Sequence, residues 1–367
     1  MQFEPSLYQP IYLYSLLLLT LGYAFPISHY GISFIQRNTN QPLVFIYILL
    51  FTVLVGLRPI SGYYFVDTAN YAQSYKLYAN GILSYNSNSK EWFFEWLMYH
   101  CSQVMDVHSF FLLVEILYIV PVLWTCKKLV PNHALLMFLV YMGAFSFFTY
   151  GTNGIRNGMA CSLVIATLAC AHGNLIQKVI GGILAFLAFN IHRSTALPIV
   201  CILATFFVKD TRLILGWWIA SIFLSLVIGG PVEAFFTGLG FDDRLSNYAT
   251  DNSADAMFSS TGFRWDFLLY SAMPIWLGYY VVIKRKIWDK NYLLLLHTYI
   301  LCNSFWVMMI RASYSNRFAY LSWFLYALVL IYPCLKLPIW KDQGKKTALI
   351  MFAHFSFTFV MSEFIYH

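Results

Sequence analysis

Apolar runs, each near the length of a membrane helix, recur from one end of this chain to the other. No other feature constrains its fold as strongly. Hydrocarbon offers no water to pair a backbone N–H or C=O, so such runs must become helices, each of about 20 residues. They fall near 11–31, 42–57, 107–125, 132–150, 155–172, 176–191, 194–208, 213–230, 265–283, 291–310, 317–333 and 346–365. This predicts an all-α polytopic membrane protein of about twelve helices, one integral membrane domain over 1–367. Composition agrees, with 60% hydrophobic and 11% charged residues, where a soluble domain carries about a quarter charged. The first run follows an acidic Met-Gln-Phe-Glu start without a small-residue cleavage signature, so it reads as a retained helix.

Several chemistries find no support. The seven cysteines lie in or beside apolar runs, form no CxxC pair and are odd in number, which suits packing residues better than a disulfide frame or zinc site. No phosphate-binding glycine loop and no internal repeat occurs. Asp242-Asp243 stands without further ligands at fixed spacing. No metal, cofactor or nucleic acid is expected.

Basic residues set the orientation. Arg37, Lys127/Lys128, Lys178, Lys209/Arg212, the cluster at 284–290 and the cluster at 336–346 fall in alternate loops, which are expected to be cytoplasmic. Of 23 Lys and Arg, 14 lie on that side and 11 of these are lysine, whereas seven of the other nine are arginine. The positive-inside rule needs only charge, so it does not explain the change of residue type. A guanidinium binds phosphate or carboxylate through a planar fork and keeps its charge when partly buried. Arg156, Arg193, Arg311 and Arg317 each mark an outer helix end. They snorkel to headgroups, or together they hold an anionic ligand at the outer boundary. Two outer loops are long. The first, 58–106, carries an aromatic amphipathic stretch, EWFFEWLMYHCSQVMD, expected as an interfacial helix; the second, 231–264, is polar and expected as a lid.

Within YGTNGIRNGMACSLVIATLAC, small residues recur every fourth position from Gly154 to Cys170 and predict a close helix seam. Arg156 falls on the opposite face, in a first turn whose free N–H groups favour an anion. Asn316-Arg317-Phe318, preceded by Arg311, repeats that logic, so Arg156 and Arg317 are the first candidates for a diphosphate. His192, in the turn Asn190-Ile191-His192-Arg193, is either a proton acceptor or a structural histidine. Asp67, one turn before Tyr71, is a base, or else a loop cap or the salt-bridge partner of Arg58. Glu91 and Glu95, at i and i+4, are expected to share one helix face and either bind sugar hydroxyls or mark the wet side of the interfacial helix. Glu115 is the one carboxylate well inside an apolar run, and the sequence names no partner for it.

This ordered set resembles the EpsG/Wzy group of polysaccharide repeat-unit polymerases from about residue 55 to 330. The matching elements are Arg58 with Asp67 and Tyr71, Glu91 with its aromatic neighbours, Arg156 opening a small-residue helix, His192-x-Ser194, and Arg317. Phe65-Val66 departs from the Gly-x that often precedes the aspartate in that group. The resemblance implies a metal-independent glycosyltransferase of GT-C type in the bacterial plasma membrane, with its active site on the extracytoplasmic side. It implies undecaprenyl-diphosphate-linked oligosaccharides as donor and acceptor, with membrane lipids and a chain-length regulator as partners. On that reading Arg156 and Arg317 bind the diphosphate, assisted by Arg193, Arg264, Arg311 and Arg58, while Glu91 and Tyr71 touch sugar and His192 or Asp67 takes the proton. An O-antigen ligase, a lipid-linked oligosaccharide flippase and a membrane O-acyltransferase stand as alternatives.

Overall fold

The computed structural model describes residues 3–33, 41–238, 262–312 and 315–365. Arg37 and residues 239–261, which include Asp242, Asp243, Arg244 and most of the expected lid, lie outside them. Among the described residues every regular element is helical. In chain order these are α1 (Tyr8–Tyr30), α2 (Gln41–Gly56), α3 (Asp67–Ala79), α4 (Trp92–Ser102), α5 (Val107–Leu129), α6 (Ala134–Met142), α7 (Phe147–Thr152), α8 (Ile155–Cys170) and α9 (Leu175–Ile191). There follow α10 (Ala196–Phe207), α11 (Thr211–Gly238), α12 (Trp265–Tyr279), α13 (Lys290–Met308), α14 (Asn316–Lys336) and α15 (Gln343–Val360). Among the described residues six helices are long and apolar enough to cross a membrane, and five more apolar helices are shorter, at 10–17 residues. This is a membrane protein.

Each predicted run coincides with a helix, and three details differ. The run at 132–150 is broken at Gly143–Ser146 into α6 and α7. Carbonyls at that break accept from side chains of distant helices. Tyr12 donates to Met142 O, Thr358 to Gly143 O (2.7 Å) and His354 Nε2 to Val140 O (3.1 Å), as an interrupted helix away from water requires. Second, residues 231–238 extend α11 where a loop was expected; the kink at Ile228 lies just before Pro231, whose ring crowds the preceding turn. Third, the loop 58–106 forms two helices, α3 as well as the expected α4.

The described residues fall into two compact units, 1–192 with 331–367, and 193–330. In the first, the small-residue seam of α8 forms as predicted. A Cβ on Gly158 would stand 2.7 Å from Tyr150 O of α7, Ser162 donates to Leu117 O of α5 (3.1 Å), and Cys170 faces Gly181 of α9. A buried apolar cluster including Tyr75, Phe94, Phe110, Phe111, Ile155, Met159 and Ile191 joins α3, α4, α5, α8 and the end of α9. It fixes where those helix ends meet. Local caps support the frame: Asp106 accepts from His108 N and Ser109 N to start α5, which ends on Lys127 and Lys128, complementing its dipole. In the second unit, Asn303 accepts from Trp218 Nε1 (2.8 Å) and donates to Ser322 Oγ (3.1 Å), while Ser271 accepts from Trp323 Nε1 (2.7 Å). These bonds join α11, α12, α13 and α14.

Candidate active site

Arg156 meets a carboxylate from its own chain. Glu91 is the N-cap residue of α4, yet its side chain makes no capping bond. It turns away and bridges two partners. Oε2 lies 2.5 Å from Arg156 Nη1, and Oε1 lies 2.7 Å from His192 Nδ1. The three side chains are 16–22% exposed, at the edge of the buried cluster. Tyr71 and Phe94 flank the guanidinium, with ring centroids 6.0 and 5.9 Å from its central carbon. Arg156 Nε is buried without a hydrogen-bond partner.

The local sequence explains how each group arrives. Glu91 lies outside the helical turn, so it and Glu95 do not share a face as expected; Glu95 accepts instead from Ser89 (2.6 Å). Glu91 is also not the wet edge of a helix, being 17% exposed. Arg156 occupies the first turn of α8, opposite the seam, and His192 is the extended residue that ends α9. Asn153, three residues before Arg156, accepts from Asp67 N (2.9 Å), while Thr68 donates to Thr152 O (2.7 Å). These bonds clamp the start of α3 beside the start of α8. Asp67, Tyr71, Glu91, Arg156 and His192, named separately along the sequence, therefore gather in one unit.

The chemistry of the bridge follows from valence. An ionised carboxylate only accepts, so the His192 nitrogen facing Glu91 must carry a proton. In the neutral ring this leaves the lone pair on Nε2, the tautomer a proton acceptor needs, and the carboxylate stabilises the imidazolium that forms. Arg156 in turn balances the carboxylate.

Arg58 corrects an expectation. It is fully enclosed, between the rings of Phe65 and Phe111. Its guanidinium donates to Val55 O (2.7 Å), Thr152 O (2.9 Å) and Thr68 Oγ1 (3.2 Å). A cation at the C-terminal carbonyls of both α2 and α7 satisfies groups those helices leave open. Arg58 thus belongs to the frame rather than to a ligand surface. The carboxyl group of Glu115 rests against Gly151, where a Cβ would stand 3.1 Å from both its oxygens.

The remaining arginines belong to the second unit. Arg264 is engaged by Asp266 through two bonds of 3.0 and 2.6 Å and lies over Phe267. Arg311 is exposed, lies over Phe263 and packs on Gly229 of α11. Arg193, in the turn after His192, and Arg317, in the first turn of α14, are exposed. Among the described residues no group of three His, Cys, Asp or Glu is placed to hold a metal ion. Sequence reasoning passed over Asn153 and Asn190, whose signal was an amide at a helix end next to a candidate residue.

Fold and site together define a helical membrane protein with a carboxylate-bridged arginine–histidine pair at its helix ends. The chain belongs to the EpsG family, whose model matches residues 42–367. No curated protein and no solved structure matches it.

Proposed function

We propose that this chain is a polysaccharide polymerase, a metal-independent glycosyltransferase of GT-C type with about twelve membrane-spanning helices. It transfers a growing glycan from undecaprenyl diphosphate to the non-reducing end of a new lipid-linked repeat unit, at the outer face of the bacterial plasma membrane. The observation that carries this reading is the Glu91 bridge between Arg156 and His192 in a member of the EpsG family.

In the proposed step, an acceptor sugar hydroxyl gives its proton to His192 Nε2 as its oxygen bonds to the donor anomeric carbon. The bond from that carbon to the diphosphate breaks, and its electron pair leaves with undecaprenyl diphosphate. Glu91 holds the ring and balances the imidazolium. Arg156 offers its remaining N–H groups to the charge growing on the leaving group, and Tyr71 stacks on sugar. Asp67 is the second candidate acceptor. Within the second unit, Arg317, Arg311 and Arg193 are proposed as anion-binding residues in their own right, with Arg264 able to serve only by exchanging Asp266.

Purified protein supplied with undecaprenyl-diphosphate-linked repeat units alone tests this. Polymer ladders that vanish in Arg156→Ala and His192→Gln support it. Transport of the lipid-linked unit across a vesicle without any product identifies a flippase and ends the proposal.

A further inference from the structure

A second bond runs beside the Glu91–His192 contact. Trp92, the residue after Glu91, donates its indole N–H to Asn190 Oδ1 at 2.7 Å; Asn190 precedes His192 by two residues. The same two chain ends, the start of α4 and the end of α9, are thus joined by a neutral rung and a charged rung. Orientation of the amide is fixed independently, because Asn190 Nδ2 donates to Phe186 O (2.8 Å) and leaves Oδ1 for Trp92. Asn190 is 7% exposed, and Ile191 beside it is buried in the cluster shared with Phe94. Glu91 and His192 lie at non-helical joints, with φ −119°, ψ 46° and φ −150°, ψ 116°, where no helix dictates the course of their side chains. The neutral rung constrains their separation without itself carrying charge.

The geometry points to Trp92 and Asn190 as positioning residues for proton transfer: their bond holds Glu91 against His192 Nδ1 and so keeps the Nε2 lone pair facing substrate. This inference rests on the polymerase reading for its kinetic arm only.

Trp92→Phe keeps an aromatic ring and removes the N–H donor together with part of the ring volume, which the tautomer readout separates from the lost bond. In nanodiscs, with undecaprenyl-diphosphate-linked repeat units as substrate, kcat is expected to fall about fivefold with KM unchanged, the effect of one lost hydrogen bond acting through the base. Selective ¹⁵N-histidine labelling, with the His192 signal assigned by its loss in His192→Gln, gives the second arm. Wild type is expected to show the ring protonated at Nδ1, and Trp92→Phe a mixture of tautomers. Added to Glu91→Gln, Trp92→Phe is expected to cost nothing further. An unchanged ring signal, or a loss as large in the Glu91→Gln background as in wild type, overturns the inference. If Glu91→Gln and His192→Gln polymerise normally, the polymerase chemistry fails while the ring signal still decides whether Trp92 positions His192. Should Trp92→Phe not accumulate, Asn190→Ser is read by the same two arms.

Discussion

Replacing Glu91 with glutamine is the sharpest test of the bridge, because shape is kept while charge is removed. Donors to the carboxylate include Arg156 Nη1 at 2.5 Å and the His192 Nδ1–H at 2.7 Å, on different oxygens. An amide offers one oxygen and one NH₂. It can satisfy Arg156, but its nitrogen then faces a ring nitrogen that must give up its proton, and the proton moves to Nε2. A histidine in that tautomer cannot take a proton from a sugar. General-base catalysis contributes about 10²–10⁴ in rate, or about 3–5 kcal/mol at 1.36 kcal/mol per decade. The Arg156–Glu91 attraction is separate: unit charges about 4 Å apart at an effective dielectric near 20 gain about 4 kcal/mol. Desolvation of both groups offsets much of that. Stability should therefore fall modestly while kcat falls at least about a hundredfold. Polymer ladders from purified variant in nanodiscs, timed and compared with unfolding in the same preparation, measure both. A folded Glu91→Gln protein that polymerises within about threefold of wild type, far inside the range a lost base allows, would falsify the tautomer argument.

Other positions give independent checks. Arg58→Met removes the guanidinium's charge-assisted hydrogen bonds to Val55 O, Thr152 O and Thr68 Oγ1; a loss of about 1.5–3 kcal/mol is expected, read as loss of membrane-integrated protein. Gly158→Ala drives a Cβ to 2.7 Å from Tyr150 O, whereas Gly182→Ala meets nothing within 4 Å; detergent unfolding should show about 1–3 kcal/mol lost at the first and almost none at the second. Asp106→Ala removes the α5 cap and should destabilise by about 1 kcal/mol. The N–H and then the hydroxyl of Ser109 hold the Asp106 carboxyl below its ordinary range. The cap is therefore at full strength above that range and weakens as pH falls through the lowered value; the gap between wild type and Asp106→Ala should close in acid.

The sequence exposed this site as a set of parts and concealed how they join. Arg156, His192 and Glu91 are each legible because a polar group at the end of an apolar helix has few structural excuses. Their partnership is not legible, since Glu91 and His192 stand 101 positions apart and nothing local ties them. The sequence suggests a phosphate for Arg156 and hides that Glu91 of the same chain also meets its charge, because helical spacing pairs Glu91 with Glu95. The break between α6 and α7 was hidden for the same reason. The run at 132–150 is apolar throughout, and the side chains that make its interruption tolerable come from Tyr12, His354 and Thr358, between 130 and 215 positions away. That break also brings Thr152 and Asn153 to the start of α3, and so ties Asp67 N to Asn153 and sets Tyr71 beside Arg156. A helix continuous through 143–146 would carry those carbonyls elsewhere and leave Arg58 without one of its two helix ends. The interruption that sequence periodicity could not show is therefore part of what builds the site.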